Sequence, residues 1–306
     1  MNRRTFLKTA AVGGVAAAVL PHLQGADAAG TQETKLPGLV AVKGGNPSAM
    51  LDAALAAFGG LERFVKPGQT VLIKPNIGWN CTPEQAACTN PELVGHLVEL
   101  CLKAGAETVQ VFDHTCDRDW QACYTRSGIA SAVEKAGGVM LCGNVASAYI
   151  PVDVKQGKVL HRAELFQAVQ SCDVFINVPI LKNHGGAKLT CCLKNLMGTI
   201  WDRPAMHRAG LQQAIADWAS VRKPDLNIVD AFRAMQTGGP RYNPSCKILL
   251  PKSLLLSCDM VAADVAAAKS LGVNIDAAAH IGCAEKLGLG TADLSKLVIK
   301  KIVMEA

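Results

Sequence analysis

One stretch of the chain combines the residue types that proton transfer and anion binding require. Residues 174–198 begin with an apolar run, Val174 to Leu181, which ends abruptly in Lys182, Asn183, His184 and two glycines. A buried strand that ends in cationic side chains and glycines before a helix is how α/β proteins build a site for an anion or a cofactor. Lys182 can neutralise a phosphate or carboxylate, or act as a base or nucleophile when desolvated. His184 can ligate a metal or transfer protons near neutral pH.

The segment after the two glycines is predicted to be helical. It carries four polar side chains: Lys188, Thr190, Lys194 and Asn195. Thr190 and Lys194 are four residues apart and would therefore share one helix face. We assign Lys194 and Asn195 to ligand binding. The adjacent Cys191 and Cys192 are interpreted as helix packing rather than as ligands, because a buried free cysteine behaves as a small hydrophobic residue.

Polar side chains also follow the ends of four other predicted strands. These are Lys74 with Asn76, Asp113 with His114, Asp230, and Asp259. The carboxyl ends of parallel strands lie along one edge of a sheet, which is where α/β proteins bind ligands. We therefore predict that these groups share a cleft with Lys182 and His184. Lys74 and Asn76 are assigned to ligand binding, and Asp230 joins Lys182 and His184 as a catalytic group.

Metal binding is a second use for this edge of the sheet. Five side chains would suit a divalent metal if they converge: Asp113, His114, His184, His207 and Asp230. Asp259 and Asp264, five residues apart across a strand-to-helix junction, either face the site or cap the helix. The chain contains no G-x-G-x-x-G, P-loop or G-x-S-x-G sequence. Their absence argues against ordinary dinucleotide, nucleoside triphosphate or serine-hydrolase chemistry.

The twelve cysteines contain no C-x-x-C pair and no close run of the ferredoxin type. Most have apolar neighbours and are interpreted as buried small hydrophobic residues. Two pairs, Cys81 with Cys88 and Cys116 with Cys123, share a six-residue gap and lie in loop-like stretches. Both pairs are candidates for disulfides or for metal ligands.

The N-terminus is predicted to be an export signal. Arg3 and Arg4 open a twin-arginine signature, which is followed by an apolar region and the small-residue site Ala26-Asp27-Ala28. We predict a signal peptide at 1–28, a short linker at 29–38 and one α/β domain at 39–306. The apolar region is too short and too rich in Gly and Ala to span a membrane. The predicted location is therefore the periplasm or another exported compartment, with the twin-arginine translocase as a transient partner and no membrane association after signal removal.

The charge of the chain argues against a nucleic-acid partner. The formal charge of +6 falls to +4 when the three basic residues and one acidic residue of the predicted signal peptide are removed. The lysines are scattered, and three Tyr and four Trp provide no aromatic platform for bases.

Strand and helix patterns alternate along the chain, which predicts an α/β fold with a mostly parallel sheet and helices on both faces. A small hairpin insertion is predicted from strands at Tyr149 to Val154 and Val159 to His161, on either side of Gln156-Gly157. A helix is predicted from Ala163 to Ser171, and the apolar run Val174 to Leu181 is taken as one strand.

At these residues the chain resembles the domain of unknown function 362 family, DUF362. The matching segments lie in family order: residues 71–76, 89–92, the strand ending in Asp113, residues 177–184, Thr190, residues 194–198, residues 224–231, Gly239-Pro240 and residues 259–264. The resemblance spans roughly residues 39–303 and implies an α/β fold but no particular reaction. Many members carry an additional ferredoxin-like module with four-iron clusters, and this chain has no such run of cysteines. The resemblance extends to exported members with a Thr-Cys and a later Cys-Tyr, which makes Cys116 and Cys123 candidate metal ligands.

The leading hypothesis is an exported protein that binds an anionic small molecule, or a metal or redox cofactor, at the carboxyl-end edge of the sheet, with redox activity. Lys74, Lys182 and Lys194 would hold the anion, while His184 and Asp230 would transfer protons or bind metal. The candidate cofactors are a divalent metal ion and an iron–sulfur cluster. The alternative is a non-catalytic periplasmic protein that binds a ligand or delivers a cofactor.

Overall fold

The computed structural model describes residues 36–305. The predicted signal peptide and its cleavage site lie outside the described residues. Within the described range the strands are β1 Leu39–Lys43, β2 Thr70–Pro75, β3 Thr108–Val111, β4 Val139–Met140, β5 Tyr149–Asp153, β6 Arg162–Phe166, β7 Val174–Val178, β8 Ile180–His184, β9 Lys188–Thr190, β10 Leu226–Thr237, β11 Lys247–Leu249, β12 Ser253–Ser257 and β13 Ile299–Val303. The α-helices are α1 Pro47–Ala57, α2 Pro91–Lys103, α3 Trp120–Arg126, α4 Ile129–Lys135, α5 Gln167–Ser171, α6 Cys192–Asn195, α7 Arg203–Ala219, α8 Met260–Leu271 and α9 His280–Lys286.

The main sheet confirms the predicted α/β architecture. Its strand order is β13-β1-β12-β10-β7-β2-β3-β4, and every neighbouring pair on this path is parallel except the two that involve β12. Alternate residues of β2 enter two separate cores, with Leu72 on one face and Val71 and Ile73 on the other. Helices α7, α8 and α9 cover the first face, and α1, α2 and α4 cover the second.

Side-chain caps explain where the first helices begin. The Asn46 side chain accepts a hydrogen bond from Ala49 N at 2.8 Å, and Pro47 occupies the first turn of α1. Asn90 caps α2 in the same way, and Pro91 follows it. Both helices therefore begin where the Asn-cap and first-turn Pro preferences place a helix start. Among the described residues, no helix combines the length and the apolar character needed to cross a membrane.

The prediction that Asp259 joins the common strand-end edge is wrong. β12 runs antiparallel to both of its neighbours, so Ser257 pairs with Asn227 near the start of β10. The end of β12 therefore lies at the opposite edge of the sheet from the ends of the parallel strands. There, Asp259 caps α8, with its Oδ1 accepting a hydrogen bond from Ala262 N at 2.9 Å.

The apolar run at Val174 forms two strands rather than the single strand predicted, and the chain breaks at Pro179 between β7 and β8. β8 continues through His184 and turns back at the two glycines into β9, so that Lys182 pairs with Thr190. Thr190 is therefore on a strand, and the predicted helix is limited to α6. Proline lacks the N–H that a continuous strand would need, and two successive glycines permit the turn.

The hairpin insertion is confirmed, although its second strand lies later than predicted. β5 and β6 pair antiparallel from Tyr149 opposite Phe166 to Asp153 opposite Arg162. The predicted helix from Ala163 is consequently wrong in its first half, because residues 162–165 alternate between solvent and the core as strand residues do. The sequence analysis also missed α3 and β11.

Candidate functional site

A cavity of about 320 Å³ lies at the carboxyl ends of the strands, where β2, the loop after β3, β8 and α6 meet. Ten of the twelve predicted site residues line it: Lys74, Asn76, Asp113, His114, Cys116, Lys182, His184, Lys194, Asn195 and His207. The parallel sheet brings these groups together because β2, β3 and the β7–β8 segment all end at this edge. Asp230 and Cys123 are not among the lining residues.

A buried ion pair forms the floor of the cavity. The ammonium of Lys74, which is fully buried, lies 2.7 Å from Asp113 Oδ1, and it donates a hydrogen bond to Pro75 O at 2.8 Å. Asp113 Oδ2 accepts a hydrogen bond from Ile77 N at 2.7 Å. Burial lowers the pKa of Lys74, and the Asp113 carboxylate opposes that shift. A Cβ atom at Gly198 would collide with Asp113 Oδ1 and lie 2.7 Å from Lys74 Nζ, so the pair requires glycine there.

Lys182 is fixed by two acceptors above the sheet. Its Nζ donates to Asn76 Oδ1 at 3.0 Å and to Ala87 O at 2.5 Å. Burial lowers the pKa of Lys182, whose side chain is almost completely inaccessible to solvent. Lys182 therefore contributes positive charge to the cavity while its donors are largely occupied.

A chain of side-chain amides supports Lys182 from below. Asn76 Nδ2 donates to Asn195 Oδ1 at 3.0 Å, and Asn195 Nδ2 donates to Asn177 Oδ1 at 2.9 Å. Asn177 Nδ2 in turn donates to Asn227 Oδ1 at 2.9 Å. Sequence reasoning missed Asn177 and Asn227, although each is a lone amide within a buried strand. A buried amide in an apolar strand needs polar partners, which is the signal that could have identified them.

Lys194 differs from the other two lysines because its donors are poorly satisfied. Among the described residues, its Nζ has one hydrogen-bond partner, the weakly accepting Met197 Sδ at 3.2 Å. Burial, together with the nearby cations Lys182 and Arg203, lowers the pKa of Lys194 to about 8. The Lys194 ammonium is therefore a charged donor that faces a cavity without a strong acceptor.

Arg203, at the start of α7, ties down the loop after β3. Its guanidinium donates to His114 O at 2.7 Å, to Thr115 O, and to the exposed Cys116 Sγ at 3.1 Å. Arg203 lies four residues before His207, which is exposed at the cavity mouth. Arg203 adds a fourth cationic side chain to the lining.

Two histidines line the cavity in complementary tautomers. His114 Nδ1 lies 3.0 Å from Ile200 O and must donate to it, so that Nε2 keeps its lone pair. His184 Nδ1 accepts from Ala187 N at 3.0 Å, so its Nε2 carries the proton. Burial lowers the pKa of both rings, that of His184 to about 3. Both imidazoles are therefore neutral near pH 7, one with a free acceptor and one with a free donor.

Two predicted site residues, Asp230 and Cys123, do not line the cavity, and their contacts indicate structural roles. Asp230 lies within β10, and its carboxylate accepts hydrogen bonds from Asn90 N at 2.8 Å and Phe232 N at 3.0 Å. Burial raises the pKa of Asp230 to about 6. Cys123, on α3, is buried in the core, where burial raises its pKa to about 12, whereas Cys116 lines the cavity.

The lining as a whole is strongly cationic. Lys74, Lys182, Lys194 and Arg203 face a cavity in which Asp113 is the one carboxylate among the described lining residues. The buried Thr190 Oγ1, which has no hydrogen-bond partner in the described part of the chain, lines the same space. Charges act more strongly beside the low-dielectric protein interior than in bulk water, so this arrangement attracts an anion.

Residues 1–19 match the model of the twin-arginine translocation pathway signal sequence. The match indicates export by that pathway, with the translocase as the partner during export.

A thylakoid-associated protein of Synechocystis is 28% identical over 260 residues, which cover 80% of this chain and 76% of that protein. Two solved structures are similar at low sequence identity. The lactate racemase apoprotein from Thermoanaerobacterium thermosaccharolyticum has a TM-score of 0.41 at 10% identity over 72% of this chain. A protein from Thermotoga maritima has a TM-score of 0.42 at 11% identity over 79% of this chain. This chain spans only 54% and 60% of those two chains, respectively.

Residues 71–269, well over half of the chain, match the model described as domain of unknown function (DUF362). This range contains the strand ends, the lysines and the α6 segment that build the cavity. The chain therefore belongs to the DUF362 family, as its motifs predicted.

Proposed function

We propose that this protein binds a small carboxylate- or phosphate-bearing molecule in the cationic cavity. The observation that carries the proposal is Lys194, a half-buried side chain whose ammonium has one hydrogen-bond partner among the described residues, a thioether sulfur. A buried charged donor is costly unless it is paired, and an anion in the cavity supplies that partner. Lys74 and Lys182 add attraction at longer range, while their own hydrogen bonds are already made.

The residues that line this cavity suit an anion better than a metal ion. The metal candidates Asp113, His114, His207 and Cys116 share the space with four cationic side chains, and Asp113 is already paired with Lys74. In the described part of the chain, these four residues do not form a compact group of ligand atoms. A volume of about 320 Å³ is at the lower end of the range for ligand pockets, so the ligand is small.

Acid–base chemistry is the catalytic extension of this proposal. Burial lowers the pKa of Lys194 to about 8, within reach of neutral pH, and the neutral His114 and His184 rings each leave one nitrogen free. A redox role has a narrower basis, the exposed thiol of Cys116 beside Arg203. If the protein binds the anion but does not convert it to a product, the binding part of the proposal holds and the catalytic extension does not.

Replacing Lys194 by Met tests the anion site directly. We expect the variant to bind the anion about ten- to a hundredfold more weakly, the range for losing a hydrogen bond to a charged group. Isothermal titration calorimetry with inorganic phosphate, sulfate, acetate and malonate would measure this loss. Lys286→Met is the matched control, because Lys286 is exposed on α9 and should be neutral. If no anion in the panel binds the wild type, or if Lys194→Met binds as tightly as the wild type, the proposal is wrong.

The affinity should also fall as the pH rises through about 8. An anion binds the protonated form of Lys194, whose pKa is lowered by burial to about 8. Affinity for sulfate, which stays fully ionised, should therefore be constant below pH 8 and fall by up to about tenfold per pH unit above it. Burial also lowers the pKa of Lys74 and Lys182. The difference between the wild-type and Lys194→Met profiles isolates the Lys194 contribution, and identical profiles would contradict it.

A further inference from the structure

Three metal-binding side chains, Cys191, Cys192 and Asp264, converge in the core where α6 begins, and a fourth, His280, lies next to Asp264. All four are completely buried. The two sulfur atoms lie 4.0 Å apart, and one ligand atom from each cysteine and from Asp264 lies within 4.8 Å of the others. His280 Nε2 lies 4.0 Å from Asp264 Oδ2. From the sequence both cysteines are interpreted as packing residues, because no local pattern shows that α8 and α9 lie next to them.

The protonation state of His280 follows from its neighbour Gln212. The Gln212 amide nitrogen donates to Gly186 O at 3.2 Å, which fixes the amide so that Oε1 faces His280. His280 Nδ1 lies 2.8 Å from that oxygen and must therefore donate to it. The Nε2 atom of the neutral ring then has a lone pair, and it has no hydrogen-bond partner in the part of the chain that the structure describes.

Two acceptors consequently face each other in the core. Asp264 Oδ2 accepts a hydrogen bond from Leu193 N, whereas the His280 Nε2 lone pair has no donor among the described residues, and an unsatisfied buried acceptor is costly. The thiol protons can point at Asp264, but they leave His280 Nε2 unsatisfied.

We propose that Cys191, Cys192, Asp264 and His280 bind a divalent, borderline-soft metal ion of the zinc type, with Gln212 orienting the histidine. Two thiolates bound to tetrahedral zinc lie about 3.8 Å apart, close to the 4.0 Å between these sulfur atoms. A metal-bound histidine characteristically donates its other ring N–H to a protein acceptor, which is the role of Gln212 Oε1. A metal ion bound by these residues would also accept the lone pair of His280 Nε2, which has no hydrogen-bond partner among the described residues.

Charge and protons balance in this site. A free cysteine thiol is protonated near neutral pH, whereas zinc binds the thiolate. Metal binding therefore releases two protons to solvent. One dication with two thiolates and one carboxylate carries a net single negative charge. The N–H groups of Cys192 and Leu193, at 2.6 and 3.2 Å from the Asp264 oxygens, stabilise that charge.

The site has a structural consequence for the cavity. Cys191 and Cys192 begin α6, and α6 carries Lys194 and Asn195 into the cavity lining. A metal at this point would join α6 to α8 and α9 and so fix the position of Lys194. This proposal does not depend on which anion the cavity binds.

Zinc retention by the full chain tests the proposal. The protein is loaded with zinc, dialysed against a weak chelator, and analysed by atomic spectrometry and native mass spectrometry. We expect the wild type to keep about one zinc per chain and Cys191→Ala/Cys192→Ala to keep about a tenth of that or less. His280→Asn retains a donor towards Gln212 but removes Nε2, so it should weaken zinc binding by about tenfold or more.

Cys81→Ala/Cys88→Ala is the matched control, because these two cysteines are also buried and their sulfur atoms are 3.3 Å apart. This variant should keep its zinc. If Cys191→Ala/Cys192→Ala does not fold, cobalt absorption of the control variant decides, since a thiolate-to-cobalt charge-transfer band supports the site and its absence overturns it. The proposal is also overturned if the wild type keeps no more zinc than Cys191→Ala/Cys192→Ala, or if thiol mapping finds Cys191 joined to Cys192 in a disulfide.

Discussion

Replacing Lys74 by Met lowers the free energy of unfolding by about 3 to 5 kcal/mol, the usual cost of removing one partner from a buried ion pair. Lys74 and Asp113 are both buried, with Nζ 2.7 Å from Oδ1. Met fills nearly the same volume as the lysine stem, so the loss reflects the uncompensated Asp113 carboxylate rather than a cavity. Urea denaturation followed by circular dichroism would measure the change.

The double variant Lys74→Met/Asp113→Asn separates the ion pair from packing. It removes both charges and keeps an oxygen that can accept the hydrogen bond of Ile77 N. Because a buried ion pair contributes little net stability over neutral groups of similar shape, the double variant should recover most of the loss. If Lys74→Met costs less than about 1 kcal/mol, water reaches the pair and the buried-pair interpretation fails.

Replacing Asp217 by Ala should lower the free energy of unfolding by about 2 to 4 kcal/mol. This buried carboxylate of α7 holds the turn of the hairpin insertion, with Oδ2 accepting from Lys158 N, Val159 N and Leu160 N at 2.8, 2.8 and 3.0 Å. Hydrogen bonds to a charged group contribute about 1.5 to 3 kcal/mol each. Lys158 and Val159 are exposed, so water replaces part of the loss after substitution.

Asp217→Asn provides the graded control for this prediction. It keeps one side-chain oxygen but loses the charge, so it should cost about half as much as Asp217→Ala. Proteolysis should then become faster near residues 154–162, because the turn loses its anchor to α7. Equal costs for the Ala and Asn variants would show that the charge does not hold the turn.

Local residue patterns were sufficient for the parts of the fold that depend on short-range physics. Asn46-Pro47 and Asn90-Pro91 identified two helix starts because capping is a contact within one turn. Short apolar runs bounded by polar residues identified β2 and β3, and the side chains that follow them do line the cavity. Alternating strands and helices were enough to predict the parallel sheet, since that architecture covers both sheet faces.

The positions of other residues depend on contacts between elements that are distant in the sequence. The residue pattern of Ser253–Ser257 would be the same in a parallel and in an antiparallel strand. Only the antiparallel pairing of β12 with β1 and β10 places Asp259 at the edge of the sheet opposite the cavity. A long-range contact also decided the surroundings of Asp230, whose carboxylate accepts a hydrogen bond from the backbone N–H of Asn90, 140 positions earlier in the chain.

The two sites show this division most clearly. The sequence alone determined that lysines and histidines follow the strands, because strand ends can be read from local polarity. Only the tertiary structure decided which of these cations lacks a partner, since hydrogen bonding to Asn76, Ala87 and Asp113 satisfies Lys182 and Lys74 but not Lys194. It likewise placed His280 and Asp264 beside Cys191 and Cys192, because contacts between elements distant along the chain leave no local pattern in the sequence.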